Sequence, residues 1–343
     1  NSPLGTPEKD TAVMLEKQIN AAGGIKGKKI QIIVYDTESD ETKAVTFAKK
    51  LLEQDKVLVI VGPSSTGESL ALVNTITTAQ TPLISVAASA RIVTPVNEKK
   101  WIFKTPQSDV LAVDEVYAYL KSKGWTKVAL LTSSGGFGAT GKAVLEPAAP
   151  GAGITIVAAE SFGDQDTDMT AQLTKIKGSG AQALIVWGTN PGPAIIAKNA
   201  KQLNLGLPIL NSHGVANKKF IELGGDAVEG VVFPAGKLLL ADKLPDSDPQ
   251  KAVLVKYRDN FQTEYGRSAD TFGGHAYDAI TMVAKALEKS GADKSKLRDE
   301  LEKTTGFIGT GGIFNMSTSD HNGLGKGSFV MVQIKGGVWA PAQ

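Results

Sequence analysis

Short apolar runs alternate with helix-length stretches along most of this chain. Residues 8–22 carry Val13, Met14, Leu15 and Ile19 at helix-core spacing and stop at Gly23-Gly24, and residues 29–35 follow as a strand. The same order predicts a helix over 41–54, a strand over 57–61, a helix over 68–79, a strand over 82–84 and a strand around 101–103. A second series opens at Asp109, with helices over 109–123, 140–149, 169–177, 194–203 and 217–223 and strands over 127–131, 154–159, 182–187, 208–210 and 231–233. Strands this apolar, separated by helices, predict parallel sheets covered on both faces. Two such series predict an α/β chain of two doubly wound, Rossmann-like domains, with a ligand cleft between facing carboxyl edges.

The tail departs from this rhythm. Helices over 248–264, 271–290 and 294–303 run almost without strands, before short strands near 312–314 and 329–334. With little sheet of their own to cover, they are read as returning to the first domain. The expected lobes are residues 1–107 with 237–316, and 108–236 with 317–343, joined by three crossovers.

Two loops carry the candidate chemistry. Gly62-Pro63-Ser64-Ser65-Thr66-Gly67 follows the strand at 57–61 and opens into a helix, and Val86-Ala87-Ala88-Ser89 follows the strand at 82–84. Unpaired backbone N–H groups beside hydroxyls make a receptor for a small anion, most simply a carboxylate. Ser65 and Glu68 also have capping-box spacing, which explains the first loop without any ligand.

Composition narrows the classes. The chain has 343 residues, 42% of them apolar, enough for two ordinary cores. Its net charge of +2 comes from 37 basic and 35 acidic residues spread evenly, so the basic stripe of a nucleic-acid binder is missing. There is no cysteine, which excludes disulfides, thiolate metal sites and cysteine nucleophiles. No apolar run reaches the roughly 18 residues of a membrane span. No cofactor or metal is expected, and no catalytic acid–base pair is apparent.

Several motifs in order resemble a known family: Asn20-Ala21-Ala22-Gly23-Gly24-Ile25-Lys26-Gly27, Tyr35-Asp36, Gly62-Pro63 through Thr66-Gly67, Phe137-Gly138 and Ala276-Tyr277-Asp278. They resemble the type I periplasmic solute-binding proteins of ATP-driven importers, in the branched-chain amino-acid-binding group. The resemblance implies a two-lobed clamp, in the periplasm or held outside the membrane as a lipoprotein after loss of a signal peptide. It implies a monomer that delivers a small-molecule carboxylate to a membrane permease. It makes Thr66 and the N–H of Gly67 the carboxylate receptor, completed by Ser89 and the backbone of Ala87. Phe137 and Thr189 of the second lobe would close over the ligand, and Phe272 would line its apolar side.

Two departures from the family pattern shape the expectation. Amino-acid-binding members place an acid on the second lobe for the ligand ammonium, where this chain has His213. A neutral imidazole does not balance a buried ammonium, so the expected ligand is an aromatic or branched monocarboxylate, with an amino acid as the alternative. Residues 1–5 also resemble the loop that follows the family's first strand, so an interior strand is expected ahead of them.

Other readings stay in view. His213, in a polar turn, fits a solvated loop as well as a ligand contact. Phe137 and Phe272 fit a core, although Phe137, between glycines after a strand, reads as exposed in the cleft. Trp187 and Tyr277 read as core residues and Arg91 as a surface charge. Gly136-Phe137-Gly138-Ala139-Thr140-Gly141 spells a dinucleotide fingerprint, with Glu160 near the distance of a ribose-binding acid. A lengthened turn and Pro147 and Pro150 in the following helix place an NAD-dependent dehydrogenase below a binding protein.

Overall fold

The structure, a computed structural model, describes residues 2–343. Its first unit runs up to Ser108 and takes in Ala241–Ser328; the second is Asp109–Leu240 with Phe329–Gln343. The last two crossings therefore lie at 240/241 and 328/329, later than the sequence pattern implied. Residues 317–328 stay with the first unit because they edge its sheet. His321 donates from Nδ1 to the Ile102 carbonyl at 2.8 Å, Lys104 N–H donates back to the His321 carbonyl at 3.1 Å, and the imidazole stacks on Phe103 at 4.1 Å.

In the first unit, the strands Ile60–Val61, Leu83–Ser85 and Ile102–Lys104 form a parallel sheet in that order. Ile60, Leu72, Ile76, Leu83 and Ile102 pack together beneath it. The helices start where short polar side chains satisfy their first N–H groups. Asp40 accepts from Lys43 N ahead of Glu41–Glu53, Ser65 accepts from Glu68 N ahead of Thr66–Ala71, and Asp270 accepts from Gly273 N ahead of Thr271–Ser290. Each such cap stabilises its helix by about 1 kcal/mol. The helix expected over 68–79 begins at Thr66 and breaks at Leu72.

The strand expected over 29–35 does not form. The segment has no ladder partner among the described residues, and side chains of the helix Gly5–Ala21 hold it instead. Asn20 exchanges two 2.8 Å hydrogen bonds with the backbone of Ile30, and Ile32 N–H donates to Glu16 at 2.8 Å. The strand expected over 57–61 shortens to Ile60–Val61, which among the described residues pairs with Leu83-Ile84 alone. Asn1, with which the resemblance to a family loop begins, lies outside the described residues.

The second unit is built on a seven-stranded sheet. Its order is Val338–Pro341, Val330–Lys335, Val232–Ala235, Ile209–Asn211, Ala183–Trp187, Lys127–Ser133, Thr155–Phe162. The last five of these strands are parallel, whereas the two C-terminal ones add antiparallel, so the sheet is mixed where an all-parallel one was expected. The final hairpin turns on Gly336-Gly337, both at positive φ (61° and 70°), the geometry that a two-residue turn demands of its central residues. Successive side chains point to opposite faces. Leu130, Ile185, Trp187 and Leu210 enter one core, and Ala129, Leu131, Leu184 and Val186 enter another.

Candidate functional site

Both expected cradle loops lie in the first unit at the carboxyl ends of neighbouring parallel strands. Ser65 spends its hydroxyl on the helix cap, donating to Glu68 Oε2 at 2.6 Å while accepting from Glu68 N at 3.3 Å. Thr66, one residue on, is 2% exposed and its hydroxyl has no partner among the described residues. An unmatched buried hydroxyl costs about 1–3 kcal/mol, so it marks a position where a further group belongs. Gly67 follows, and a Cβ there would sit 2.3 Å from Glu41 Oε1. In the second loop Ser89 is fully buried and accepts from Arg91 N at 3.2 Å, which leaves its own proton free to donate.

Ala87 differs from its expected role. Its N–H is already given to Ser85 Oγ at 3.1 Å, so it is not available to a carboxylate. The Ala87 carbonyl has no partner among the described residues, and a carbonyl serves a donor such as an ammonium.

The two loops are linked by a buried hydroxyl chain that the sequence reading missed. Ala87 N–H donates to Ser85 Oγ, Ser85 and Ser69 meet at 2.8 Å, and Ser69 Oγ donates to the Ser65 carbonyl at 2.9 Å. With an N–H at one end and a carbonyl at the other, each proton has one direction to point. Ser69 and Ser85 are both 0% exposed. The sequence signal was slight: Ser85 closes the apolar run Leu83-Ile84, and Ser69 lies inside the helix Thr66–Ala71.

Ahead of these loops, Ser64 donates to Glu8, which lies in the first turn of the helix Gly5–Ala21. Glu8 is 7% exposed and its second oxygen has no partner among the described residues. Burial, reinforced by the charges of Asp270 and Glu68, pushes its carboxyl well above the ordinary range even though Ser64 donates to it. Burial also pushes Asp270 up to about 7. Phe272, 7% exposed, sits beside Asp270 in the first turn of Thr271–Ser290, its ring 6.5 Å from His275.

The second unit gathers the other candidates at the carboxyl edge of its own sheet. His213 opens the turn His213–Val215 after the strand Ile209–Asn211 and is 7% exposed, so it is not a solvated loop residue. Its ring stands 5.3 Å from Phe137, 5.9 Å from Trp187 and 5.3 Å from Phe329. Phe137 is half-buried in the first turn of the helix Gly136–Ala148, 5.8 Å from Trp187. Thr189 is half-buried in the loop after Ala183–Trp187. Trp187 is fully buried, as its place at a strand end implied, and Arg91 is exposed.

The glycine fingerprint has an internal explanation. Gly136, Gly138 and Gly141 lie inside a helix that starts four residues earlier than expected, not in a loop ahead of it. A Cβ at Gly138 would stand 1.9 Å from the Ser133 carbonyl oxygen, and one at Gly141 2.1 Å from Trp187 Nε1. The chain's own atoms occupy that space, so close packing accounts for Gly138 and Gly141. Glu160 pairs with Lys175 at 2.9 Å instead of awaiting a ribose.

Among the described residues no helix is long and apolar enough to cross a membrane. The chain is 26% identical over 311 residues to the leucine-, isoleucine-, valine-, threonine- and alanine-binding protein of Pseudomonas aeruginosa, covering 90% of this chain and 80% of that one. An extracellular ligand-binding receptor from Rhodopseudomonas palustris HaA2 superposes with a TM-score of 0.93 at 30% identity, over 99% of this chain and 95% of that one. The branched-chain amino acid transporter substrate binding protein of Streptococcus pneumoniae, solved with isoleucine, gives 0.87 at 26% identity, over 99% and 94%. A profile of periplasmic binding proteins matches residues 1–337. The chain therefore belongs to the periplasmic binding protein family, has the type I fold of that family, and is similar to its Leu/Ile/Val-binding members.

Proposed function

We propose that the protein is the extracytoplasmic solute-binding component of an ATP-driven importer and that it captures a small amino acid without altering it chemically. Thr66, Gly67 and Ser89 receive the carboxylate. Phe137, Thr189 and His213, with Phe272, read the remainder, and a membrane permease receives the monomer with its cargo.

The observation that carries the amino-acid reading is Ala87. Its N–H is spent on Ser85 while its carbonyl has no partner among the described residues, which suits an ammonium beside a carboxylate. The named relatives that bind aliphatic amino acids support the same reading. Much of the affinity comes from burying the ligand's apolar body, at about 25 cal/mol per Å².

His213 supports a second reading, a monocarboxylate without an amino group, since an imidazole enclosed by Phe137, Trp187 and Phe329 offers no formal negative charge to an ammonium. The relatives do not favour it. A thermal-shift and calorimetric panel of amino acids, each beside its 2-oxo acid and benzoate, separates the two. Tighter binding of the amino acids is expected, and stronger binding of the acids that lack nitrogen would overturn the first reading in favour of the second.

A further inference from the structure

We infer that Glu8 is a specificity-determining residue, the acid through which the first unit receives the ligand's ammonium group. This rests on the amino-acid reading above and names the charge that reading requires, which His213 does not provide.

Three observations converge on Glu8. It touches the cradle loop directly, because one carboxylate oxygen accepts the hydroxyl of Ser64, two residues before Thr66. Its other oxygen is buried and has no partner among the described residues. The neighbouring Thr66 hydroxyl, 2% exposed, is likewise buried without a partner, so the one loop has beside it both a donor suited to a carboxylate and an acceptor suited to an ammonium.

Charge points the same way. Glu8 makes no ion pair among the described residues, and the charges that act on it most, Asp270 and Glu68, are also acids. Glu68 is occupied by the hydroxyls of Thr37 and Ser65, and Arg267 is turned to Asp10. Burial and these acids hold the proton on Glu8 in the ligand-free protein. An ammonium beside its other oxygen would draw that proton off and supply the missing positive charge, whereas a ligand carrying only a carboxylate adds one more negative charge and keeps Glu8 neutral. Glu8→Gln keeps the shape and an acceptor for Ser64 but cannot ionise beside an ammonium.

The test is calorimetric titration of the wild-type chain and Glu8→Gln with leucine, threonine and phenylalanine, each beside its 2-oxo acid. Wild type is expected to favour the amino acid in its best pair by tenfold or more, and Glu8→Gln to reduce that preference at least tenfold while oxo-acid binding is held or improved. A wild type that prefers the oxo acids, or binds nothing in the panel, would sink the amino-acid reading and this inference together. A wild type that prefers amino acids, with Glu8→Gln keeping the ratio or losing both classes equally, would overturn the role of Glu8 alone. Should Glu8→Gln not fold, Glu8→Asp, which withdraws the charge by one methylene, is expected to lower the ratio in the same direction, and an unchanged ratio there would likewise overturn it.

Discussion

The hydroxyls of Ser69 and Ser85 meet at 2.8 Å in a fully buried position, and that contact joins the helix behind one cradle loop to the strand behind the other. Through it the Ser65 carbonyl and the Ala87 N–H become the two ends of one hydrogen-bonded chain. The spacing between Thr66 and Ser89 is thus fixed by residues that need not touch a ligand. Ser85→Ala leaves Ser69 Oγ and Ala87 N–H short of a partner, at a cost of about 1–3 kcal/mol. The expected outcome is lower stability in urea together with roughly tenfold weaker binding of every ligand, and an unchanged affinity would show that the loops hold their spacing without the chain.

Thr66→Ala is expected to behave differently. It removes an unmatched hydroxyl from the ligand-free protein, so stability should hold or rise slightly, while amino acids and oxo acids both bind roughly tenfold more weakly, a loss of about 1.4 kcal/mol. His213→Ala should instead reorder the preferred side chains, because the ring lies against Phe137 and Trp187. Calorimetry with a series of side chains distinguishes the two patterns.

Gly141→Ala tests the packing explanation of the glycine fingerprint. The new methyl would meet the indole of Trp187, and overpacking of this kind destabilises by about 1–3 kcal/mol. A lower melting temperature with a shift in tryptophan emission is expected. NADH should produce no quenching in either protein.

Stability should fall as pH rises from about 4 to about 7. Burial holds Asp270 and Asp278 at about 7 in the folded chain, from ordinary values of 3.8, and raises Glu8 in the same sense. Over that window the unfolded chain ionises these groups while the folded chain retains their protons, so the unfolded state gains. Asp270 alone accounts for up to about 4 kcal/mol across the window. Asp270→Asn keeps a cap for Thr271–Ser290 but does not titrate. The melting temperature of wild type is expected to be higher at pH 5.5 than at 7.5, and the variant to reduce that difference; an equal difference in both would assign the effect to other groups.

Most helices and strands were legible because their apolar spacing is local. What was not legible depended on partners distant in sequence. Residues 29–35 have strand-like composition, but a strand needs a ladder, and here Asn20 and Glu16 take up backbone groups a ladder would use. Three glycines in six residues argue against a helix at 136–141, yet contact between Gly141 and Trp187 overrides that local cost. In the candidate site, Thr66 and Ser89 were visible as hydroxyls after strands. The enclosure of His213 was not, because Phe329 joins it from more than a hundred residues away. Glu8 looked like any acid in a first helical turn until its contact with Ser64 was known.

The indole packed beside His213 gives the chain a native optical gauge. Trp187 is fully buried, whereas the other three tryptophans, Trp101, Trp125 and Trp339, are half-buried, so its emission should lie to the blue of theirs. Any solute that displaces Phe137 or the imidazole alters the surroundings of that one fluorophore, and occupancy can be followed without dye or label.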